Sequence, residues 1–395
     1  MNLARLAAYA TDRRLVYGWR RRYVPWVLDI TDPHDPRFTP HGSHEDVPYV
    51  RRSGKGSAPR PGCDTLDYLI GRHHDAWTDQ LRRFAEHDDG PGARAARTAL
   101  DAGILTSLVP PPSSKPSDLV VLRASGQLIH QDPGLARFWE AQLRTGLDAG
   151  LHGVCLCCAG TAAPLARLVP AYLPPSAFRQ NGAGDLALYP ASKNRPGTSP
   201  VPVCLDCACA LGAALPDLAG RPDHHHRTQE GTLLLWWGLD GAGDFPLGAL
   251  LTHPDPAALA AAPTSGRLCA MLLKPATGRI ALTWFLDEPT RTVLDRIRHW
   301  YDTTGVYDGW SDTIRLTGIP SMHHQLGRWN PRTRTYQHLS PTTPPESGLW
   351  TAALSGHLPH QHARAALTAT RRDNRVSTGR TALLQLCSAS AHGAR

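Results

Sequence analysis

Two tight cysteine clusters constrain this chain more than any other feature. Cys155, Cys157 and Cys158 form one; Cys204, Cys207 and Cys209 form the other. Each contains a CxxC pair, 155/158 and 204/207. A CxxC turn aims two thiolates at one point, and two such turns supply a tetrahedral site. Four soft sulfur ligands suit zinc, and a closed four-cysteine shell is structural rather than catalytic. The spacing predicts a structural Zn2+ on Cys155, Cys158, Cys204 and Cys207. Cys157 and Cys209 offer alternative registers, and the competing reading is two unrelated groups of buried thiols. A thioredoxin-like redox role is disfavoured, because neither pair sits in a visible βαβ unit.

The 395 residues suffice for two or three domains. Hydrophobic residues at 41% and charged residues at 19% mark a globular chain. No stretch approaches the ~20 apolar residues of a spanning helix. The opening MNLARLAAYATDRRL reads as an amphipathic helix, because Arg5 interrupts its apolar run. A cytoplasmic protein is the expectation, without a membrane partner. Lys plus Arg number 42 against 34 Asp plus Glu, a net charge of +8 and a pI near 9.1. That balance is compatible with a polyanionic partner. Lysine is rare beside arginine, and arginine forks grip phosphate bidentately.

The patterns predict an α+β fold. A mixed, β-rich N-terminal and central region carries an inserted zinc-binding segment, and a helical bundle closes the chain. The N-terminal α+β region spans 1–150. It opens with a helix over about 2–15 and a strand in YVPWVLDI (23–30), where Val24, Trp26 and Leu28 share a face. Residues 31–62 read as a long loop, 75–101 as helical and 106–117 as a Pro/Ser linker. DLVVLRASGQLIH predicts two strands about a Ser-Gly turn, and Asp132-Pro133 starts a helix. The irregular cysteine-rich segment spans 151–230. Central strands occupy 231–286 (TLLLWW, LCAMLL, RIALTWF), and helices dominate 287–395 around a polar loop at about 328–347.

Two kinds of polar cluster remain. The loop AFRQNGAGDLALYPASKNRPG offers Arg179, Gln180, Asn181, Lys193, Asn194 and Arg195, residue types that read base edges or hold phosphates. Further basic runs are Arg20, Arg21 and Arg22; Arg51, Arg52, Lys55 and Arg60; and Arg364, Arg371, Arg372, Arg375 and Arg380. Histidines gather at His224, His225 and His226 beside Asp223, and at His357, His360 and His362. Hydrolytic metal sites use such groups. However, no HExxH, GxSxG, Walker or GxGxxG motif accompanies them, so a surface loop is the preferred reading and no enzyme is expected.

The order of these segments resembles the large subunit of the type I-C CRISPR Cascade complex. LAAYATDRRL and VPWVLDI are similar to the family's opening helix and strand. Asp64, Tyr68 and Gly71 match a helix start, and DLVVLRASGQLIHQDPGLARFWEAQ matches a strand–Gly–strand with a Trp helix. Cys158, Ala166, Arg167, Leu168 and Pro170 fit the cysteine-bearing turn, and Asn181 to Gly184 with Leu186 and Leu188 the Gly-rich loop. Ser199 to Val201, LLLWW, Gly278 to Ile280, Trp300, Gly356, Pro359, Arg380 and Ala382 to Leu384 complete the likeness. The chain departs from the pattern in being shorter. It also carries a second CxxC, a feature more familiar in type I-B large subunits.

The resemblance implies a non-catalytic subunit of an RNA-guided surveillance complex. Base pairing with the guide reads sequence, while protein reads a short flanking duplex motif. It assigns Arg20, Arg21 and Arg22 to the CRISPR RNA, and the 179–195 loop to the flanking motif of target double-stranded DNA. Arg371, Arg372, Arg375 and Arg380 would face the R-loop strands. Implied partners are the backbone and guide-end subunits, the small subunit and a helicase-nuclease recruited in trans. The residues alone also admit a stand-alone zinc-containing DNA-binding protein, or a metal hydrolase built on His224 to His226.

Overall fold

The run LLLWWGL has no polar face, so it must be covered on both sides. It forms the strand Leu233–Leu239, in which Leu233 to Trp237 are all buried. In the computed structural model, the described residues are 3–32, 34–50, 58–106, 108–178, 186–189, 202–276, 279–337 and 339–392. Their contacts group into two compact units. One comprises residues 1–14, 168–196 and 210–395; the other comprises 15–167 and 197–209. The division falls inside the helix Leu205–Gly220.

In the first unit a six-stranded sheet runs in the order His225–Arg227, Leu233–Leu239, Arg267–Ala276, Arg279–Pro289, Leu186–Tyr189, Val169–Leu173. Helices Thr290–Thr304, Ile319–His324, Glu346–Ser355 and Thr378–His392 contribute to one core with it. Trp236, Val293, Leu294, Ile297, Trp350, Ala382 and Leu383 are buried there. Val293, Leu294, Ile297 and Trp300 recur at helical spacing, which is why the helix after Pro289 packs one apolar stripe. This is the helical closing region that the sequence predicts.

In the second unit the strands order as Arg37–Pro48, Trp19–Asp29, Leu119–Ala124, Cys63–Thr65, with Gln127–Leu128 pairing beside Leu119–Ala124. Ser125 (φ 49°) and Gly126 (φ 79°) both sit in the left-handed region, as a tight two-residue hairpin turn requires. Helices His74–His87, Pro91–Asp101 and Pro133–Leu147 supply Trp77, Leu81, Phe84, Ala96 and Phe138 to the core. The Asp132 side chain caps the last of them, accepting from Gly134 N at 2.7 Å.

Two expectations change. Within 31–62, the segment Arg37–Pro48 is a strand rather than loop, paired antiparallel with Trp19–Asp29 from Trp19↔Pro48 to Asp29↔Arg37. Its side chains are mostly polar and half-exposed, so backbone pairing rather than apolar alternation makes it a strand. Within 151–230, residues Leu205–Gly220 form a 16-residue helix. LDCACALGAALPDLAG is apolar on most sides, and its small residues mask any helical period.

Candidate metal centre and nucleic-acid-facing residues

The four CxxC sulfurs meet. Cys155, Cys158, Cys204 and Cys207 place their Sγ atoms within 4.8 Å of one another, with only Cys158 exposed. The first pair rides on a tight turn: Ala159 N donates to Cys155 O at 2.8 Å and Cys155 N to Gly160 O at 2.9 Å. Ala159 takes φ 58° to close it. The second pair opens the helix Leu205–Gly220. Cys204 O accepts from Ala208 N at 2.9 Å, so Cys204 stands at the N-cap and Cys207 in the first turn. A helix N-terminus favours thiolate there. Strand pairing aligns the halves, through the Leu165↔Cys204 bridge and Ala166 N donating to Val203 O at 2.9 Å.

The donor set fits a metal. Two backbone N–H groups point at Cys155 Sγ, from Cys157 (3.4 Å) and Cys204 (3.2 Å). Burial opposes ionisation of Cys155, but hydrogen bonds from the backbone N–H groups of Cys158, Cys204 and Cys157 outweigh it and bring the thiol down to about 7. Burial pushes Cys204 up to about 11, and Cys207 is raised by its hydrogen bond with Cys157 and by burial. Four sulfurs this close cannot all ionise without a cation among them. Cys158 and Cys204 Sγ lie 3.8 Å apart, far beyond the ~2.05 Å of a disulfide. A tetrahedral ion with ligands at ~2.3 Å needs sulfur–sulfur edges of about 3.8 Å. The four cysteines can therefore hold a metal ion. Cys157 and Cys209 stand outside the four-sulfur group.

The histidines do not converge. His224 is buried, with Nδ1 2.9 Å from Trp236 O. His225 Nδ1 meets Arg221 O at 2.7 Å, and His226 Nε2 meets Glu346 Oε1 at 2.7 Å. Three neighbours aimed at three separate partners cannot ligate one ion. Asp223, His224 and Asp244 do cluster. Arg221 bonds both carboxylates, and Arg13 also bonds Asp244. Both carboxylates are thus already paired with guanidinium groups. His362 turns to Pro345 O at 2.9 Å and His360 to Cys387, so the second histidine group diverges too.

The profile of one family spans almost the whole chain: the CRISPR-associated protein family Cas_Csd1 matches residues 11–394. The chain belongs to the Cas_Csd1 family. No curated protein matches it. Arg20, Arg21 and Arg22 lie on the strand Trp19–Asp29. Arg20 covers the Tyr49 ring at 3.8 Å, Arg21 pairs loosely with Asp46 at 3.7 Å, and Arg22 is exposed opposite Glu45. Arg179, Gln180, Asn181, Lys193, Asn194 and Arg195 lie outside the described residues, as do Arg51, Arg52 and Lys55.

Two arginines leave the nucleic-acid set. Arg60 is buried and donates to Asp64 Oδ1 at 2.9 Å. Arg380 is fully buried in the helix Thr378–His392. Its guanidinium donates to the carbonyls of Gln325 (2.7 Å), Ala369 (3.1 Å), Arg375 (3.0 Å) and Gly327 (2.9 Å), and to Asp373 Oδ2 (2.5 Å). A side chain with its donors committed inward cannot grip a phosphate. Arg371 and Arg375 are exposed, while Arg372 is tied to Asp373 at 2.8 Å. Arg328, Arg332 and Arg334, also exposed, fall in a stretch whose sequence reads as polar loop. The alternation RWNPRTRTY was the available signal.

Proposed function

We propose that this chain is the large, non-catalytic subunit of a type I-C Cascade complex. The observation that carries the reading is the Cas_Csd1 match over residues 11–394. In this reading the subunit recognises the flanking motif of target double-stranded DNA through the 179–195 loop. It stabilises the R-loop for antiviral defence, while base pairing with the CRISPR RNA supplies sequence discrimination. Arg20, Arg21 and Arg22 contact the guide, and Arg371 and Arg375 the opened strands. The four cysteines hold a structural Zn2+, which suits four soft ligands in a closed shell. Backbone, guide-end and small subunits assemble around it in the cytoplasm, and a helicase-nuclease recruited in trans does the cutting. The divergence of His224, His225 and His226 supports a role without bond-breaking chemistry.

The test uses the reconstituted complex and a matched duplex with and without the flanking motif. Lys193→Ala with Arg195→Ala should weaken binding chiefly where the motif is present. Equal affinity of the double variant and the wild type in a shift assay removes that loop from the mechanism.

A further inference from the structure

The segment 327–337 reads GRWNPRTRTYQ and contains no acid. It folds as a small hairpin, Trp329–Asn330 paired with Thr335–Tyr336. The hairpin is latched to the residues that end one C-terminal helix and begin the next. Trp329 N donates to Asp373 Oδ2 at 3.1 Å. Gly327 O accepts from Arg372 at 3.0 Å and from Arg380 at 2.9 Å. Arg375 lies 3.8 Å over the Trp329 ring, and Gly379 N donates to Gln325 at 2.9 Å.

Fold geometry thus brings two arginine-rich stretches, distant in sequence, into direct contact. Arg328, Arg332, Arg334, Arg371 and Arg375 are all exposed, and none forms an ion pair among the described residues. Asp373 is the only acid within either stretch. Its side chain is 4% exposed and is neutralised by Arg372 and Arg380. Positive charge therefore faces outward while the compensating negative charge is buried. Exposed guanidinium groups without a carboxylate partner, carried on two stretches in contact, raise the local positive potential and favour an anion.

The aromatic residues decide which part of a nucleic acid is met. Arg375 covers one Trp329 face, and Tyr336 packs edge-on at 5.0 Å. Trp329 is thus a support for Arg375 rather than a free platform for a base. Contacts from this surface are with phosphates, and so are independent of sequence.

We propose that the 328–336 hairpin, with Arg371 and Arg375, is a binding site for the phosphodiester backbone of a single nucleic-acid strand. The proposal rests on the reading of the chain as an R-loop-holding subunit, and adds to it a site and a mode of contact. Arg380 and Asp373 hold the hairpin in place without touching the strand.

The test measures binding of the full-length chain to fluorescent dT30, rU30 and a 30-base-pair duplex across a salt series. Each phosphate contact on a single strand contributes ~0.7 to the slope of log affinity against log salt. Arg328→Ala/Arg332→Ala/Arg334→Ala should lower the single-strand slope by about 2. The corresponding triple Lys variant should keep it, since the contact is charge to phosphate. Arg82→Ala/Arg83→Ala/Arg94→Ala removes equal charge elsewhere and should leave the slope unchanged. A larger effect on dT30 assigns the site to DNA, and on rU30 to RNA. The proposal is overturned if the wild type does not bind either single strand, if the Ala slope matches the wild type, if the Lys variant fails like Ala, or if the loss is confined to the duplex. Co-purification with guide RNA and partner subunits is scored in parallel. Normal assembly with an unchanged slope sinks the hairpin alone, whereas failure of the wild type to assemble sinks the underlying reading.

Discussion

Arg380→Met separates a scaffold arginine from a nucleic-acid contact. The wild-type guanidinium makes five hydrogen bonds, four to carbonyls and one to Asp373, at zero exposure. Methionine fills part of the volume and replaces none of the donors. Removing one partner of a buried ion pair costs about 3–5 kcal/mol. Asp373 keeps Arg372 and the Trp329 N–H, which places the loss nearer 3 than 5. At ~2–4 °C per kcal/mol for a unit of this size, the melting midpoint should fall by roughly 10 °C. Arg371→Met, on an exposed side chain, should stay within about 0.5 kcal/mol of wild type. Thermal denaturation followed by circular dichroism at neutral pH reads both. A midpoint within 2 °C of wild type for Arg380→Met, together with weakened oligonucleotide binding, would refute the reasoning and return Arg380 to the binding surface.

The metal centre predicts about one zinc per chain by elemental analysis. Cys155→Ser and Cys204→Ser should lose it, while Cys209→Ser should retain it; a metal-free but fully folded wild type contradicts the site. Structural zinc is worth on the order of 10 kcal/mol, so chelation should expose residues 151–166 and 202–209 to protease, and unchanged resistance counts against the assignment. His362 supplies a pH test. Burial, reinforced by His323 and opposed by the Pro345 carbonyl bond, pushes it down to about 4, against ~6.5 unfolded. Its folded value lies below its unfolded one, so this stability is full above pH ~6.5 and is lost as pH falls toward 4, by about 3 kcal/mol at most. His362→Gln should flatten that limb of a stability–pH curve, and an identical limb in the variant would show that another group controls it.

Legibility in the sequence followed the physics of each signal. The CxxC pairs were readable because ligand spacing is local, and the meeting of two pairs 46 residues apart needs only a return of the chain. Leu233–Leu239 and Thr290–Thr304 were readable because burial leaves an apolar record at the right period. Arg37–Pro48 was not, since its identity as a strand comes from a neighbour's backbone. Leu205–Gly220 was obscured by small apolar residues on most sides. Arg380 shows the deeper limit. Nothing in a run of arginines distinguishes a guanidinium that caps four carbonyls from one that faces solvent, because the carbonyls come from residues 325–375. The same blindness hid Arg328, Arg332 and Arg334, whose significance depends on where residues 371–375 pack.

The decisive measurement is affinity isolation of the tagged chain from cells that express it naturally, with sequencing of co-eluting RNA and identification of co-eluting proteins. The account predicts short guide RNAs of repeat–spacer origin in stoichiometric association with several Cascade subunits, and no DNA cleavage until a helicase-nuclease is added. A chain that elutes free of RNA and alone, or that cuts DNA without help, contradicts it.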